Sequence, residues 1–392
     1  MTMSFAGKTA IAGLGATEFS KNSGRSTLRL AVESSEAAIR DAGLEPHQID
    51  GIVSYTTDDN HEIDVARSLG IKELTHFSRI HHSGGAACGT LHQAAMAVAS
   101  GAAEHVLVYR AFNERSETRF GTGVQSRDAD ASPSMVDFGW SSPFGLLTPA
   151  SWVAMFATRY MHEYGATSED FGRISVADRK HAATNPKAFF YEKPITLEEH
   201  QQSRWIVKPL HLLDCCQESD GGQALVVTTL ERARDLKQPP VVIASAAQGS
   251  GEDQQMMKSY YRDSITAIPE MGLVARQLWA DTGLSAKDIQ TAVIYDHFTP
   301  LVLPQLEELG FCKTGEAKDF IRDGRIEMGG ALPINTNGGQ LGEAYIHGMN
   351  GIAEAARQVR GTSVNQVDDV THALVTAGTG VPTSAAILSK DD

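Results

Sequence analysis

A short sequence pattern occurs twice, once in each half of the chain, and this repeat constrains the fold more than any other feature. In the first copy, Asp-Ala-Gly-Leu at 41–44 is followed, after four residues, by an apolar run that ends at Tyr55. In the second copy, Asp-Thr-Gly-Leu at 281–284 is followed, after four residues, by an apolar run that ends at Tyr295. Apolar residues at helical spacing precede both copies, and glycine commonly ends a helix. Each copy therefore predicts a helix that leads into a parallel-type strand, in a duplicated α/β protein.

A glycine-rich turn followed by a run of small residues also occurs in each half, at 84–101 and at 338–355. Small residues allow two helices to approach closely, so we expect a buried helix pair between two sheets. An apolar strand is predicted after each run, at 105–109 and at 372–376.

A long insert, from about Ala111 to Arg204, lies between these repeated parts. Helices are predicted around 152–157 and 171–175, and an irregular stretch at 121–133. An insert of this length usually covers a site or contacts a partner.

Two further segments, 210–216 and 220–227, are predicted to return the chain to the sheet. We therefore expect an N-terminal half at 1–250, which includes the insert, and a C-terminal half at 265–392.

Composition narrows the function of this 392-residue chain. Hydrophobic residues make up 42 % and charged residues 21 %, as in ordinary globular proteins. The net charge of −14 argues against nucleic-acid binding. The chain has no charged-then-apolar leader and no apolar run of 18 residues, so we expect a cytoplasmic protein with no membrane role. The four cysteines are too few and too irregular for a disulfide framework or a zinc site, and we expect no bound metal.

Taken together, several segments resemble the thiolase superfamily, in particular its sterol-carrier-protein-type and lipid-transfer-protein-type branch. The matching segments are 10–19, 41–44, 84–101, 209–227, 295–299 and 337–351. The resemblance covers nearly the whole chain. It implies two stacked βαβαβαββ halves in an α-β-α-β-α sandwich, a tight homodimer, and an acyl-CoA ligand held partly by the insert.

The positions at which thiolases carry their catalytic residues have changed. The nucleophilic cysteine is expected at or beside Gly84, and the two histidines are replaced by Tyr295 and Tyr345. The segment 376–380 contains no second cysteine. Cys88 lies four residues after Gly84, which is roughly 6 Å along a helix.

This pattern resembles the lipid-transfer-protein-type steroid side-chain aldolases, which use a pair of tyrosines in these places. The resemblance implies retro-aldol cleavage of a 17-hydroxy steroid C20-carboxyl-CoA to a 17-keto steroid and propionyl-CoA, in bacterial steroid or bile-acid side-chain degradation. No cofactor is implied, because coenzyme A is part of the substrate. A small OB-fold protein with a zinc ribbon is implied as partner, in a heterotetramer.

Two phenols suit this chemistry, because the reaction removes a proton from the β-hydroxyl and delivers one to the α-carbon. We assign Tyr295 as the base on the hydroxyl and Tyr345 as the acid at the α-carbon, with the reverse order left open. A free tyrosine has a pKa near 10, so each phenol must be tuned or coupled to a neighbour.

Supporting roles are expected for Asp296, His297, His347 and Cys88. His297 either polarises Tyr295 or is a structural histidine. His347 follows Tyr345 by two residues, and on a helix it would point roughly 200° away from it.

A basic cluster in the insert contains Arg173, Arg179 and Lys180. It is either a solvated helix face or a contact for the phosphates of coenzyme A.

The sequence leaves two rival functions open. One is a thiolase-type acyltransferase that uses Cys88, and the other is a non-catalytic carrier of acyl-CoA or lipid.

Overall fold

A mixed β-sheet runs through the molecule. The computed structural model describes residues 5–81, 83–117, 119, 139, 141–255, 257, 259–378 and 382–391, so the predicted irregular stretch at 121–133 lies outside the described residues. The strands of the described part are β1 (Thr9–Ala16), β2 (Gly51–Tyr55), β3 (His76–Ile80), β4 (His105–Asn113), β5 (Trp205–Val207), β6 (Leu210–His211), β7 (Asp220–Thr229), β8 (Val241–Gly249), β9 (Thr291–Val293), β10 (His372–Thr376) and β11 (Thr383–Lys390). Nine of them form one sheet in the order β3-β2-β4-β7-β1-β8-β11-β10-β9, and β5 pairs only with β6.

Helices cover the sheet and form the insert. Those in the described part are α1 (Thr27–Ala42), α2 (Glu62–Leu69), α3 (Ala87–Ala99), α4 (Pro149–Tyr164), α5 (Ser168–Thr184), α6 (Leu197–Gln202), α7 (Leu230–Arg234), α8 (Pro269–Thr282), α9 (Val302–Glu308), α10 (Ala317–Phe320), α11 (Gly339–Gly342) and α12 (Met349–Arg360). Helices α4 and α5 lie where the sequence predicts helices in the insert. Among the described helices, none combines the length and apolarity needed to cross a lipid bilayer.

The predicted duplication is confirmed. Helix α1 ends at Gly43 and α8 ends at Gly283, both in the left-handed conformation that glycine adopts easily (φ 78° and 71°). A 3₁₀ turn follows each helix, and then a strand that lies parallel to a neighbour, β2 beside β4 and β9 beside β10. Strand β9 ends at Val293, so Tyr295 lies just beyond the strand.

Helices α3 and α12 form the central layer of the molecule. Helix α3 packs on β2, β4 and β7 of one half and on β8 and β11 of the other. Helix α12 packs on β9 and β10, and it also contacts α3. Helix α1 covers the outer face of the first half and α8 the outer face of the second. The five expected layers are present, but the two sheet layers are parts of one nine-stranded sheet that join where β1 pairs with β8.

Two details differ from the sequence prediction, and a third concerns the predicted boundary between the halves. The second glycine-rich turn does not run into one long helix, because the short helix α11 stops at Gly342 and α12 begins only at Met349. The segment 210–216 does not return to the large sheet, since its strand β6 pairs with β5. Strand β8 lies among the strands of the second half, upstream of the boundary expected near residue 250, and the division into halves stays a prediction.

Candidate active site

Tyr295 and Tyr345 meet in one buried site, although they come from different segments. The Tyr295 hydroxyl donates to the Tyr345 hydroxyl across 3.3 Å, and the two ring centroids lie 6.5 Å apart. Tyr295 is only 2 % exposed and Tyr345 is partly buried. Burial raises the pKa of both phenols well above 10, so both are neutral near neutral pH.

Glycines make room for the Tyr295 ring. A Cβ atom added at Gly84 would overlap the Tyr295 hydroxyl, and one added at Gly378 would overlap ring atom Cδ1. A Cβ at Gly348 would come within 2.9 Å of Cε2. The phenol therefore occupies the space into which a side chain at position 84 would project, which is where the resemblance places the thiolase cysteine.

Backbone contacts fix both tyrosines. The amide of Tyr295 donates to Thr376 Oγ1 (2.9 Å), and its carbonyl accepts from the Gln305 side chain (2.8 Å). Tyr345 lies in the loop between α11 and α12, and its amide donates to Ser219 Oγ (3.1 Å). Because the backbones are held, the distance between the two hydroxyls does not depend on flexible loops.

Asp296 joins the two tyrosine segments. Its carboxylate accepts the backbone N–H groups of Gln340 (2.8 Å) and Leu341 (3.0 Å) at the start of α11. Burial raises the pKa of Asp296 to about 6, and burial and then the charge of Asp296 raise the pKa of the neighbouring Asp178, so this pair keeps a proton to a higher pH than a free carboxyl does. Asp296 therefore positions the site through the backbone of α11.

His297 is a neutral imidazole, because burial lowers its pKa to about 3. Its ring centroid lies 4.7 Å from that of Tyr295, and its carbonyl accepts from the Cys216 amide. A neutral ring in this position packs against the phenol and brings no positive charge to it.

His347 contacts Tyr345, because the segment between α11 and α12 is a loop and not a helix. The two rings are nearly perpendicular, with centroids 5.0 Å apart, and His347 itself has φ 50°. Its Nδ1 accepts from Arg110 Nε (3.1 Å), so the ring proton of neutral His347 is on Nε2.

Arg110 and Asp58 support His347 and were not found by sequence reasoning. Arg110 is fully buried and forms an ion pair with Asp58 (2.9 Å). The partners are far apart in the sequence, so no local motif marks them.

Cys88 lies in the hydrophobic core. It is fully buried, its thiol donates to the Val375 carbonyl (3.6 Å), and burial raises its pKa well above the usual value. A thiol in this state is a poor nucleophile.

The three basic residues of the insert have different surroundings. Arg179 donates to the Lys193 carbonyl and stacks over the Phe190 ring at 3.7 Å, and burial lowers its pKa to about 10. Arg173 and Lys180 line a cleft of about 200 Å³ at the outer face of α5. Lys180 pairs there with Glu327.

Comparisons with known proteins identify the family. Residues 251–390 match the model of the thiolase C-terminal domain-like family. The chain is 70 % identical to the steroid side-chain-cleaving aldolase of Thermomonospora curvata, over 98 % of both chains. It is 66 % identical to the 17-hydroxy-3-oxo-4-pregnene-20-carboxyl-CoA lyase of Mycobacterium tuberculosis, over 97 % of this chain and 99 % of that one.

A solved structure described as an Ltp2–ChsH2(DUF35) aldolase superimposes with a TM-score of 0.95 at 69 % identity, over 99 % of both chains. The layered fold is shared with solved thiolase-like proteins of low sequence identity. The chain therefore belongs to the thiolase-like steroid side-chain aldolases, which are carbon–carbon lyases, and the family predicted from its sequence is confirmed.

Proposed function

We propose that this protein is an aldol lyase that cleaves a 17-hydroxy steroid C20-carboxyl-CoA to a 17-keto steroid and propionyl-CoA. The observation that carries the proposal is the hydrogen-bonded pair of Tyr295 and Tyr345, set in the space left by Gly84. The names of the two relatives support the same substrate class. Bacterial degradation of a steroid or bile-acid side chain would supply such a substrate.

The phenol pair acts as a proton relay in this proposal. The substrate hydroxyl gives its proton to Tyr295, Tyr295 passes its own proton to Tyr345, and Tyr345 protonates C20. The C17–C20 bond breaks, its electrons form the thioester enolate, and C17 becomes a ketone. Both phenols are neutral before and after the reaction, which suits their raised pKa values.

The neighbouring residues position this relay. Asp296 ties the Tyr295 segment to α11, His297 packs on the Tyr295 ring, and His347 packs on the Tyr345 ring. Cys88 contributes packing in the core and no nucleophile.

The cleft lined by Arg173 and Lys180 is a candidate contact for the phosphates of coenzyme A. Replacing both residues by Ala should raise the KM for the acyl-CoA severalfold and leave kcat near its normal value, because phosphate contacts hold the substrate away from the reacting bond. Arg179→Ala is the contrasting variant, since Arg179 binds inside the protein and its loss should lower thermal stability. An unchanged KM in the double variant would contradict the assignment.

The partners are proposed as a second copy of this chain and a small OB-fold protein with a zinc ribbon, in a heterotetramer. Strand β3 lies at one of the two edges of the described sheet, opposite the β9 edge, and carries Phe77, whose side chain is 64 % exposed. An edge of this kind suits pairing with a second copy. The name of the solved aldolase includes a second protein, ChsH2, which supports a partner that is not a second copy of this chain. A cytoplasmic location and a reaction without a cofactor stay predictions.

Incubating the purified protein with the steroid acyl-CoA, with and without the OB-fold partner, tests the proposal. We expect release of the 17-keto steroid and propionyl-CoA in equal amounts. Stoichiometric binding without turnover in both samples would instead indicate a carrier. An acyl group trapped on Cys88 would indicate a thiolase.

A further inference from the structure

Glu114 is a buried acid beside the tyrosine pair that the proposed relay does not use. It directly follows β4, whose last residue, Asn113, pairs with Asp220 at the start of β7. The side chain is only 3 % exposed. Among the described residues, nothing forms a hydrogen bond with its buried Oε2 atom.

Ser219 connects Glu114 to the catalytic loop. The backbone N–H of Ser219 faces the Glu114 carboxyl, while Ser219 Oγ accepts the amide of Tyr345 (3.1 Å). The pairing of Asn113 with Asp220 places Glu114 opposite Ser219, and Glu114 lies close enough to the Tyr345 phenol and the Cys216 thiol to influence both electrostatically.

The surroundings favour the protonated form of the Glu114 carboxyl. Burial and the negative charge of Glu218 raise its pKa well above the usual value. The Ser219 N–H, Arg110 and Lys21 act in the opposite direction with smaller effect. A neutral carboxylic acid is a hydrogen-bond donor, whereas a carboxylate only accepts.

We propose that Glu114 donates a hydrogen bond to the thioester oxygen of the substrate as that oxygen becomes an enolate. The inference rests on the proposed function and adds a catalytic residue to it. The enolate oxygen lies two bonds from C20, the atom that Tyr345 protonates, so its donor must lie next to Tyr345. Glu114 meets this condition through Ser219.

The unsatisfied Oε2 atom supports this role. A buried polar atom without a partner costs about 1–3 kcal/mol, so a site that keeps one commonly supplies it to a ligand. In the retro-aldol step the proton stays on Glu114, and only the strength of its hydrogen bond changes. The charge balance of the relay between the two phenols is therefore unaffected.

Exchange of the α-hydrogens of propionyl-CoA in D₂O, followed by mass spectrometry, isolates this half of the reaction. Without the steroid, solvent in the place of its C17 oxygen takes the proton that Tyr345 and Tyr295 relay from the α-carbon, and it returns a deuteron by the same path. In the complex with the OB-fold partner, Glu114→Leu should lower both exchange and kcat for cleavage by about 10²–10³-fold, as for other single oxyanion donors. Glu114→Gln keeps an N–H donor of the same size and should lose less than tenfold. Normal exchange in Glu114→Leu, or equal losses in a folded Gln variant and the Leu variant, would overturn the proposal.

The pH profile separates a proton donor from a structural residue. The wild-type exchange rate should fall as the pH rises through the pKa of Glu114, and Glu114→Gln should lack this decrease. Glu218→Gln should keep the full rate at low pH and move the decrease to lower pH, because a negative charge that raises the pKa of Glu114 is gone. A profile that Glu114→Gln leaves unchanged would contradict the role.

The two proposals can fail separately. If the wild-type complex exchanges propionyl-CoA in a Glu114-dependent way but does not cleave the steroid, the proposed substrate is wrong and Glu114 keeps its role. If it cleaves the steroid and Glu114→Leu cleaves equally well, Glu114 is not the donor.

Discussion

The two glycine-rich turns have similar sequences and different tasks. The first, at 84–86, leads directly into α3, and its residues are buried in the apolar core together with Cys88. The second begins at Gly338, forms the short helix α11, and then opens into the loop that carries Tyr345. In this duplicated fold, one turn leaves space for the Tyr295 ring, and the other leads into the loop that carries Tyr345.

A buried polar network explains why the chain after the second turn can form a loop and not continue as a helix. Glu343 accepts from Asn350 (2.9 Å) and from Asn337, so the loop backbone is anchored on both sides. Asp296 also binds the start of α11. The first turn needs no such network, because its residues continue into a regular helix.

Removal of the two phenols should have the largest effect on activity. Tyr345→Phe and Tyr295→Phe should each lower kcat by about 10²–10⁴-fold, because each removes one proton-transfer group. Both variants should unfold at nearly the wild-type temperature. Ketone release and circular dichroism check the two statements, and full activity in both variants would refute the pair.

A methyl group added at Gly84 tests whether the first glycine-rich turn leaves space that the Tyr295 ring needs. Gly84→Ala should destabilise the protein by about 1–3 kcal/mol, because its Cβ overlaps the Tyr295 hydroxyl. The cost should be smaller when Tyr295 is already Phe. Denaturant unfolding of the single and double variants measures this coupling. If the changes in unfolding free energy of the two single variants simply add up in the double variant, the overlap is relieved by a movement elsewhere in the protein.

The buried carboxyl groups of Asp296 and Asp178 should make the free energy of unfolding depend on pH. The pKa of Asp296 in the folded protein is raised to about 6, above the usual 3.8, so the folded state binds more protons between these values. The contribution of Asp296 to the free energy of unfolding is therefore present at low pH and falls as the pH rises from about 4 to about 6, and the contribution of Asp178, whose pKa is also raised well above its usual value, falls at higher pH.

Asp178→Asn keeps a neutral donor to Asp296 and should reduce that fall by on the order of 1 kcal/mol. Unfolding free energies of both proteins across this pH range check the difference. The same slope in both would contradict the coupling of the two carboxyl groups.

The smallest effect is expected at Cys88, in helix α3 directly after the first turn. Cys88→Ala should keep normal cleavage and lose about 1 kcal/mol of stability, because only core packing and one weak hydrogen bond are removed. A large loss of activity would revive the acyltransferase hypothesis.

The sequence predicted the parts of this molecule that depend on local patterns. The helix–glycine–strand repeats predicted the duplicated layers, and the motif positions predicted that Tyr295 and Tyr345 would meet. The break after Gly342 was missed, because the run of small residues after it also suits a continuous helix.

The supporting groups could not be predicted, because they act across long sequence separations. Arg110 reaches His347 from 237 positions away, and Asp178 approaches Asp296 from helix α5 of the insert. Glu114 looks like any surface acid in the sequence, and only folding buries it.

The close approach of position 84 to the Tyr295 ring means that acyl transfer by a thiol and aldol cleavage by a phenol exclude each other in this fold. A thiol on the first turn and a phenol after β9 would compete for the same volume, so one protein cannot hold both. A chain changing from acyl transfer to aldol cleavage must exchange the two groups together, and a single step would leave either a collision or an empty pocket.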